Sequence, residues 1–227
     1  MVRARVVDRE EWLTSPLLGE TVVLRRHRPE NLAAFQRWYR DPEISRLTRY
    51  RTEPMSAQEV ERYFRARVPG GDTLSYAIHV ADTDRLIGSA TFSQLDVANG
   101  SVTYHITIGE KDCWGLGYGT EATELMLELA FDQLGLHRVS LAVFEFNDRA
   151  IRSYQKAGFR IEGRLRDTIF RDGRHWDEIS MGVLEEEWRR THGRPRRDGG
   201  ESRARERSGI GGGMGDGRGG EVGERGT

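Results

Sequence analysis

Hydrophobic and polar positions change their period several times along the chain, and each change marks an element. Residues 20–28, ETVVLRRHR, read as a first strand. Pro29 then opens PENLAAFQRWYR, where Leu32, Phe35, Trp38 and Tyr39 recur at helical spacing. DPEISRLTRYRTEPM shows no sustained period and reads as irregular. Ser56 and Glu59 form a capping-box pattern, so a second helix starts in SAQEVERYFRARV, and PGGD (69–72) ends it. Alternation takes over in LSYAIHVAD, with Tyr76, Ile78 and Val80 on one face, then in RLIGSATFSQLD and in SVTYHITI. In SVTYHITI, Val102, Tyr104, Ile106 and Ile108 face one way, and Thr103, His105 and Thr107 the other. ADTD and VANG join these strands as turns. From Tyr118 the period returns to that of a helix, with Ala122, Leu125, Met126 and Leu129 opposite Glu121, Glu124, Glu128 and Asp132. GLHRVSLAVFE is a buried strand, and NDRAIRSYQKAG is a short helix with Asn147 as N-cap and Gly158 as its stop. FRIEGRLRDTIFR and RHWDEISMGVL are two final strands around the turn DGR.

The pattern predicts an α+β domain of about seven strands and four helices. Strands in succession favour antiparallel pairing, while the β-α-β passage through the helix at Tyr118 favours one parallel neighbour. The expected sheet is mixed and mostly antiparallel.

Composition adds boundaries. With 227 residues and 37% hydrophobic content, the chain can bury one real core. A net charge of -1 supplies no basic field and argues against nucleic acid as the main partner. The single cysteine, Cys113, excludes an internal disulfide and fits a reducing compartment. MVRARVVDREEW has no apolar core of a signal peptide, and no apolar run approaches the roughly 20 residues of a membrane span. The expected location is cytoplasmic, without a membrane partner. After Trp188 the composition turns to glycine, arginine and acid. Residues 191–227 hold eight arginines and six acids and read as a solvated, disordered tail. Weak contact of its arginines with nucleic acid is the alternative. The division expected is an extension over 1–19, a folded domain over 20–190 and the tail over 191–227.

The candidate chemistry begins at CWGLGYGTEA, where Gly115, Gly117 and Gly119 run into a helix. A glycine turn at a helix start exposes unpaired N–H groups, adds the positive end of the helix dipole, and suits a phosphate. Bare backbone also lets a diphosphate come close. A P-loop would need Gly-Lys-Ser/Thr, but Gly119 is followed by Thr120 and Glu121. A dinucleotide fingerprint counted from Gly115 would need glycine at 120, which is threonine. On the glycines alone, a tight turn without a ligand explains the pattern equally well.

IGEKDCWGLGYGTEA followed one helix and one strand later by NDRAIRSYQKAGF resembles the GNAT superfamily of acetyl-CoA-dependent N-acetyltransferases. The likeness is nearest to its RimJ/RimL-like and spermidine-acetyltransferase-like branches and runs from about Glu20 to Trp188. The family's diphosphate loop, Q/R-x-x-G-x-G/A, falls on residues 114–119, with Trp114 departing from Gln or Arg. The resemblance implies a splayed parallel strand pair at the cofactor site. It implies that the backbone around Ile108 pairs with the pantetheine arm, and that the amides of Leu116, Gly117, Tyr118, Gly119 and Thr120 cradle the diphosphate. Asn147 would contact the cofactor arm, and Tyr154 would protonate the leaving thiolate. By spacing alone Asn147 is an N-cap and Tyr154 a half-buried core aromatic.

The general base is not marked. His79, His105 and Glu145 are candidates that are also ordinary strand residues; His105 is preferred among them because it lies on the polar face of the strand that should splay, and a water chain is the alternative. Removing a proton at pH 7 costs about 4–5 kcal/mol for a lysine-like amine and about 1 for an α-amine. Glu121 reads as a dipole-stabilising acid and Cys113 as inert packing. No metal-ligand spacing appears, so no metal is expected. The first two helices and their loop carry Arg37, Arg40, Arg46, Arg49 and Arg51 against Asp41, Glu43 and Glu53. That excess suits an acceptor bearing a carboxylate or phosphate and argues against a polyamine, unless it is only a solvated helix face. The expected activity is acetyl transfer from acetyl-CoA to a primary amine: an amino acid, a peptide or protein N-terminus, or a small-molecule amine. A non-catalytic acyl-CoA-binding module is the alternative, and a homodimer is compatible with the sequence.

Overall fold

The computed structural model describes residues 15–51, 53–67 and 74–193. Most of the 1–19 extension, the PGGD turn at 69–72 and the tail beyond Gly193 lie outside the described residues. The strands are β1 (Leu17–Leu18), β2 (Val22–Arg26), β3 (Leu74–Val80), β4 (Leu86–Asp96), β5 (Ser101–Ile108), β6 (Arg138–Phe144), β7 (Arg160–Arg171) and β8 (Arg174–Leu184). The helices are α1 (Leu32–Tyr39), α2 (Pro42–Thr48), α3 (Ala57–Arg65), α4 (Tyr118–Glu128), α5 (Asp148–Lys156) and α6 (Glu185–Thr191). Among the described residues the sheet has eight strands in the order β1-β2-β3-β4-β5-β6-β8-β7. Every neighbouring pair is antiparallel except β5–β6, which is parallel. The α+β class and the mixed, mostly antiparallel sheet follow the expectation.

The additions are short elements. The two residues of β1 pair with Leu24 and Val23 of β2. The segment read as irregular contains α2. Asp41 caps it, accepting from the N–H groups of Glu43 and Ile44, with Pro42 in the first turn. Only Ile44 and Ser45 of α2 are buried, so two turns offer no apolar stripe for a period to reveal. Helix α6 follows β8 directly with three glutamates in its first turn.

The two faces of the sheet are packed differently. On the first, Ala90, Phe92, Tyr104, Leu141, Val143, Ile179, Met181 and Val183 form one core with Ala122, Met126 and Leu127 of α4, Tyr154 of α5 and Trp188 of α6. Helix α4 ends in a π-turn over Leu129–Gln133, where Leu134 N–H reaches Leu129 O at 2.9 Å. Leu129, Ala130 and Phe131 are all buried there, so the apolar surface is wider than the stripe predicted. On the second face, Phe35, Trp38, Tyr39, Ile44, Val60 and Phe64 of α1–α3 form a separate cluster. Beneath it His27 is buried edge-on to Phe35 and Phe64, and its Nε2 meets Ser75 Oγ at 3.0 Å and Ser89 Oγ at 3.3 Å.

Candidate active site

Strands β5 and β6 pair only over Ser101–Thr103 and Arg138–Ser140. Beyond that, β5 runs on to Ile108 and β6 to Phe144 with no register between them, while β6 stays paired with β8 along its whole length. A gap therefore opens at their C-terminal ends, as the resemblance implies. Gly109 N–H donates to Ile87 O at 2.8 Å, which makes Gly88–Ile108 a non-hydrogen-bonded pair. The N–H and C=O of Ile108 consequently point into the gap. The carbonyl is already used, since Trp114 Nε1 donates to it at 2.7 Å. This is what tryptophan does at the motif's first position, and the Arg149 guanidinium stacks over the same ring at 3.8 Å.

The glycine turn lies at the start of α4. Gly115 has φ 79° and Gly117, the N-cap, has φ 92°. A Cβ added at either would meet nothing within 4 Å. The glycines are thus required by backbone conformation, not by packing, and they leave the approach to the main chain open. The Thr120 and Glu121 N–H groups donate to Gly117 O at 2.9 and 3.1 Å. The amides of Leu116, Gly117, Tyr118 and Gly119 precede the first helical acceptor and remain for a ligand. Thr120 instead joins α4 to α5 through its hydroxyl, 2.8 Å from Ser153 Oγ. Glu121 turns the other way and binds the N–H and hydroxyl of Thr21 and the N–H of Glu20. A cleft of about 830 Å³ runs along α4 from Gly117, Thr120 and Lys156 to Glu20, Glu121, Glu124 and Glu128, and its acidic lining does not suit a diphosphate.

Helix α5 carries the second motif. Asn147 caps it, accepting from Ala150 N–H at 3.3 Å, and its amide donates to Leu47 O of α2 at 3.5 Å. Tyr154 is buried against Phe159 and has no hydrogen-bond partner among the described residues; burial holds its phenol well above the ordinary value. Arg149, Ser153 and Lys156 recur at i, i+4 and i+7, and through Ser153 this row faces α4. Sequence reasoning missed the two cations, although their helical spacing was readable.

The other candidates separate. His105 lies on the second face, with Nε2 2.8 Å from Ser93 Oγ. Although the residue is exposed, desolvation by its neighbours, then the charge of Arg67, lowers its pKa, so the ring is neutral at pH 7. Tyr154 is packed in the core on the opposite face. Glu145 accepts from Asp177 N–H and pairs with Arg164, and His79 Nδ1 meets Asp84 O at 2.9 Å. Both have structural partners. Cys113 is buried and its thiol is pushed up by burial, as inert packing requires.

The arginine excess is only partly paired, because Asp41 and Glu43 are both taken by Lys111. Arg37 pairs with Glu110, Arg46 with Asp172, and Arg49 donates to Glu53 O at 2.7 Å. A carboxylate that the sequence did not single out stands behind Phe144. Glu178 of β8 is 8% exposed, lies opposite Phe144 in the β6–β8 register, and accepts from the Tyr50 hydroxyl. Among the described residues, no three His, Cys, Asp or Glu side chains gather as a metal site, and no helix is long and apolar enough to cross a membrane.

A forked parallel pair beside a glycine-capped helix defines an acyl-transfer fold, and the comparisons place the chain within it. The acetyltransferase (GNAT) domain matches residues 21–160, and the chain belongs to this family. The SPbeta prophage-derived uncharacterized N-acetyltransferase YokL of Bacillus subtilis is 29% identical over 175 residues, covering 77% of this chain and 96% of that protein. Spermidine N(1)-acetyltransferase of Escherichia coli is 32% identical over 81 residues, covering 36% of this chain and 44% of that protein. The structure of spermidine N-acetyltransferase from Vibrio cholerae in complex with CoA and spermine superposes with a TM-score of 0.67. It is 22% identical and covers 75% of this chain and 99% of that one, which shows a shared fold.

Proposed function

We propose that residues 20–190 form an acetyl-CoA-dependent N-acetyltransferase acting on a primary amine in the cytoplasm. The observation that carries this reading is the junction of the β5–β6 gap with the unpaired amides at the start of α4. The amides of Leu116–Gly119 and the helix dipole hold the diphosphate, with Arg149 and Lys156 as its cationic rim. Thr120 contributes through its hydroxyl, since its amide bonds within the turn. The pantetheine arm lies in the gap beside Ile108, whose free N–H pairs with it, and Asn147 offers its second amide hydrogen.

The amine attacks the thioester carbonyl directly. The C–N bond forms, donors in the gap stabilise the oxyanion, and the C–S bond breaks. Tyr154 stays protonated because burial opposes the phenolate. It donates to the developing thiolate, whose own basicity the same dry surroundings raise. Among the described residues His105 Nδ1 has no hydrogen-bond partner, and it can take the amine's proton. With an ordinary value near 6.5, further lowered here, it falls short of an amine near 7.8 by at least about 2 kcal/mol and of one near 10.4 by more than about 5. A more basic amine needs water to carry the proton away.

Thermal unfolding with acetyl-CoA, with CoA as the control, tests the cofactor. Ligand at 100 times its Kd adds about 2.7 kcal/mol, an upward shift of several degrees. No shift at millimolar concentration of either would remove the acetyl-CoA reading.

A further inference from the structure

Arg67 stands just past α3, where its N–H donates to Phe64 O at 2.9 Å. Its side chain folds back over the helix end. Nη1 donates to Tyr63 O at 3.1 Å, and Cζ lies 3.4 Å from the centre of the Tyr63 ring. A guanidinium carries five N–H donors, so capping the helix carbonyl leaves four. Among the described residues, no carboxylate lies within ion-pair distance of Arg67. The acids of α3 are used elsewhere, Glu59 at the Ser56 cap and Glu61 on Arg65.

The ring beneath the guanidinium connects it to the unpaired part of β5. The Tyr63 and Tyr39 hydroxyls are 3.1 Å apart, and the Tyr39 hydroxyl is 3.3 Å from Thr107 Oγ1. Thr107 and His105 are two residues apart on one face of β5, and both lie beyond Thr103, where pairing with β6 ends. His105 is exposed there, with Nε2 held by Ser93. The charge of Arg67 reaches His105, Tyr39 and His27, so the guanidinium overlooks this same stretch of the second face. All three groups are neutral at pH 7: burial lowers His27 and raises Tyr39, and desolvation lowers His105. A half-buried cation that faces only neutral groups lacks its counter-charge.

The geometry points to Arg67, steadied on the Tyr63 ring, as the group that binds a carboxylate carried by the acceptor, with the acceptor's amine at His105. The acceptor class is an amino-carboxylate: an amino acid, or a short derivative that keeps its free carboxylate. A planar guanidinium takes both oxygens of a carboxylate side by side, and its single charge matches a carboxylate rather than the nearly doubled charge of a phosphate. This inference rests on the acetyltransferase reading and narrows its substrate. Arg67 binds and orients the acceptor; it makes and breaks no bond.

The test uses the full chain labelled with ¹⁵N-arginine and saturated with CoA. N-acetylglycine, a product of the expected class, is titrated at constant ionic strength, with N-acetylglycinamide as the neutral control. Arg67→Lys assigns the Arg67 Nε–H signal by its loss. The expected result is a saturable movement of that signal with the acid and none with the amide. A signal that stays fixed at millimolar acid, or that moves equally with the amide, overturns the proposal. In acetylation assays, Arg67→Gln is expected to raise the KM of glycine about 10- to 100-fold with kcat within about threefold, the scale of a charged hydrogen bond, and to leave the KM of glycinamide within about twofold. Arg67→Lys, which keeps the charge, should lie between wild type and Arg67→Gln. An unchanged KM for glycine, or an equal rise for both acceptors, also overturns the proposal. Acetyl-CoA should raise the melting temperature of wild type and Arg67→Gln alike. Loss of that rise in wild type defeats the acetyltransferase reading, independently of what the arginine signal reports.

Discussion

On the sheet face covered by α4 and α5, the candidate cofactor site is made mostly of main chain: four amides, the N–H of Ile108 and two glycines with positive φ. On the face beneath α1–α3, the candidate acceptor site is made of side chains: His105 from β5, Tyr63 from α3 and Arg67 from the segment after it. A site made of backbone requires particular conformations, and only glycine adopts some of them without strain. A site made of side chains requires particular juxtapositions, which many sequences can supply. The first kind is rigid in its residue requirements. The second can change its ligand by one substitution while the fold persists.

The largest expected effect lies where the two faces meet. Tyr154→Phe should lower kcat by about 10²- to 10⁴-fold, the range for a lost general acid, while acetyl-CoA affinity stays within about twofold. Steady-state kinetics with calorimetric titration of acetyl-CoA separates the two quantities. Unchanged turnover would return Tyr154 to plain core packing. Because burial raises the phenol, wild-type activity should show no loss from Tyr154 ionisation as pH rises to about 10.

Next is the backbone site itself. Gly117→Val places a branched side chain at φ 92°, with a conformational cost of about 1–2 kcal/mol, and fills space open to the amides. Acetyl-CoA should bind about 100-fold more weakly, close to 3 kcal/mol, and calorimetry reads this directly. Affinity near wild type in a folded variant would mean that the diphosphate lies elsewhere.

The second face makes a pH prediction. Burial, then the charges of Arg67 and His79, lowers His27 to about 4. Between about 6.5 and 4 the unfolded chain binds a proton that the folded chain does not, so stability falls as pH falls, by up to about 3 kcal/mol. Urea unfolding at pH 7 and pH 4.5 should show a smaller acid loss in His27→Gln than in wild type. Equal losses would show that His27 is not the group responsible.

The smallest effect belongs to an arginine. Arg46→Ala breaks an exposed pair with Asp172, so stability should change by less than about 1 kcal/mol and acceptor KM by less than about twofold. A KM increase above about tenfold would place acceptor recognition on α2 and weaken the assignment to Arg67.

Most of the architecture was legible because it rests on local signals. Alternation in SVTYHITI and the capping box at Ser56 and Glu59 act over a few residues and survive in the fold. The short helix α2 was not legible, since its cap and proline stand without a stripe. At the site, Gly117 was readable from its place before a helix, and Asn147 from its place as a cap. The destination of Glu121 was not, because its partners lie about a hundred residues away. The arginines of the first helices were read as a charge excess, and pairing in space removes only part of it, since Lys111 takes Asp41 and Glu43.

The sequence by itself determined the order of elements, the glycine turn and the two motifs that mark the family, because each depends on neighbours along the chain. Only the tertiary structure decided where β5 and β6 part, that Trp114 caps Ile108, and that Glu178 meets Tyr50 across 128 residues. Those features depend on strand register and on burial, and neither is a property of any short stretch of sequence.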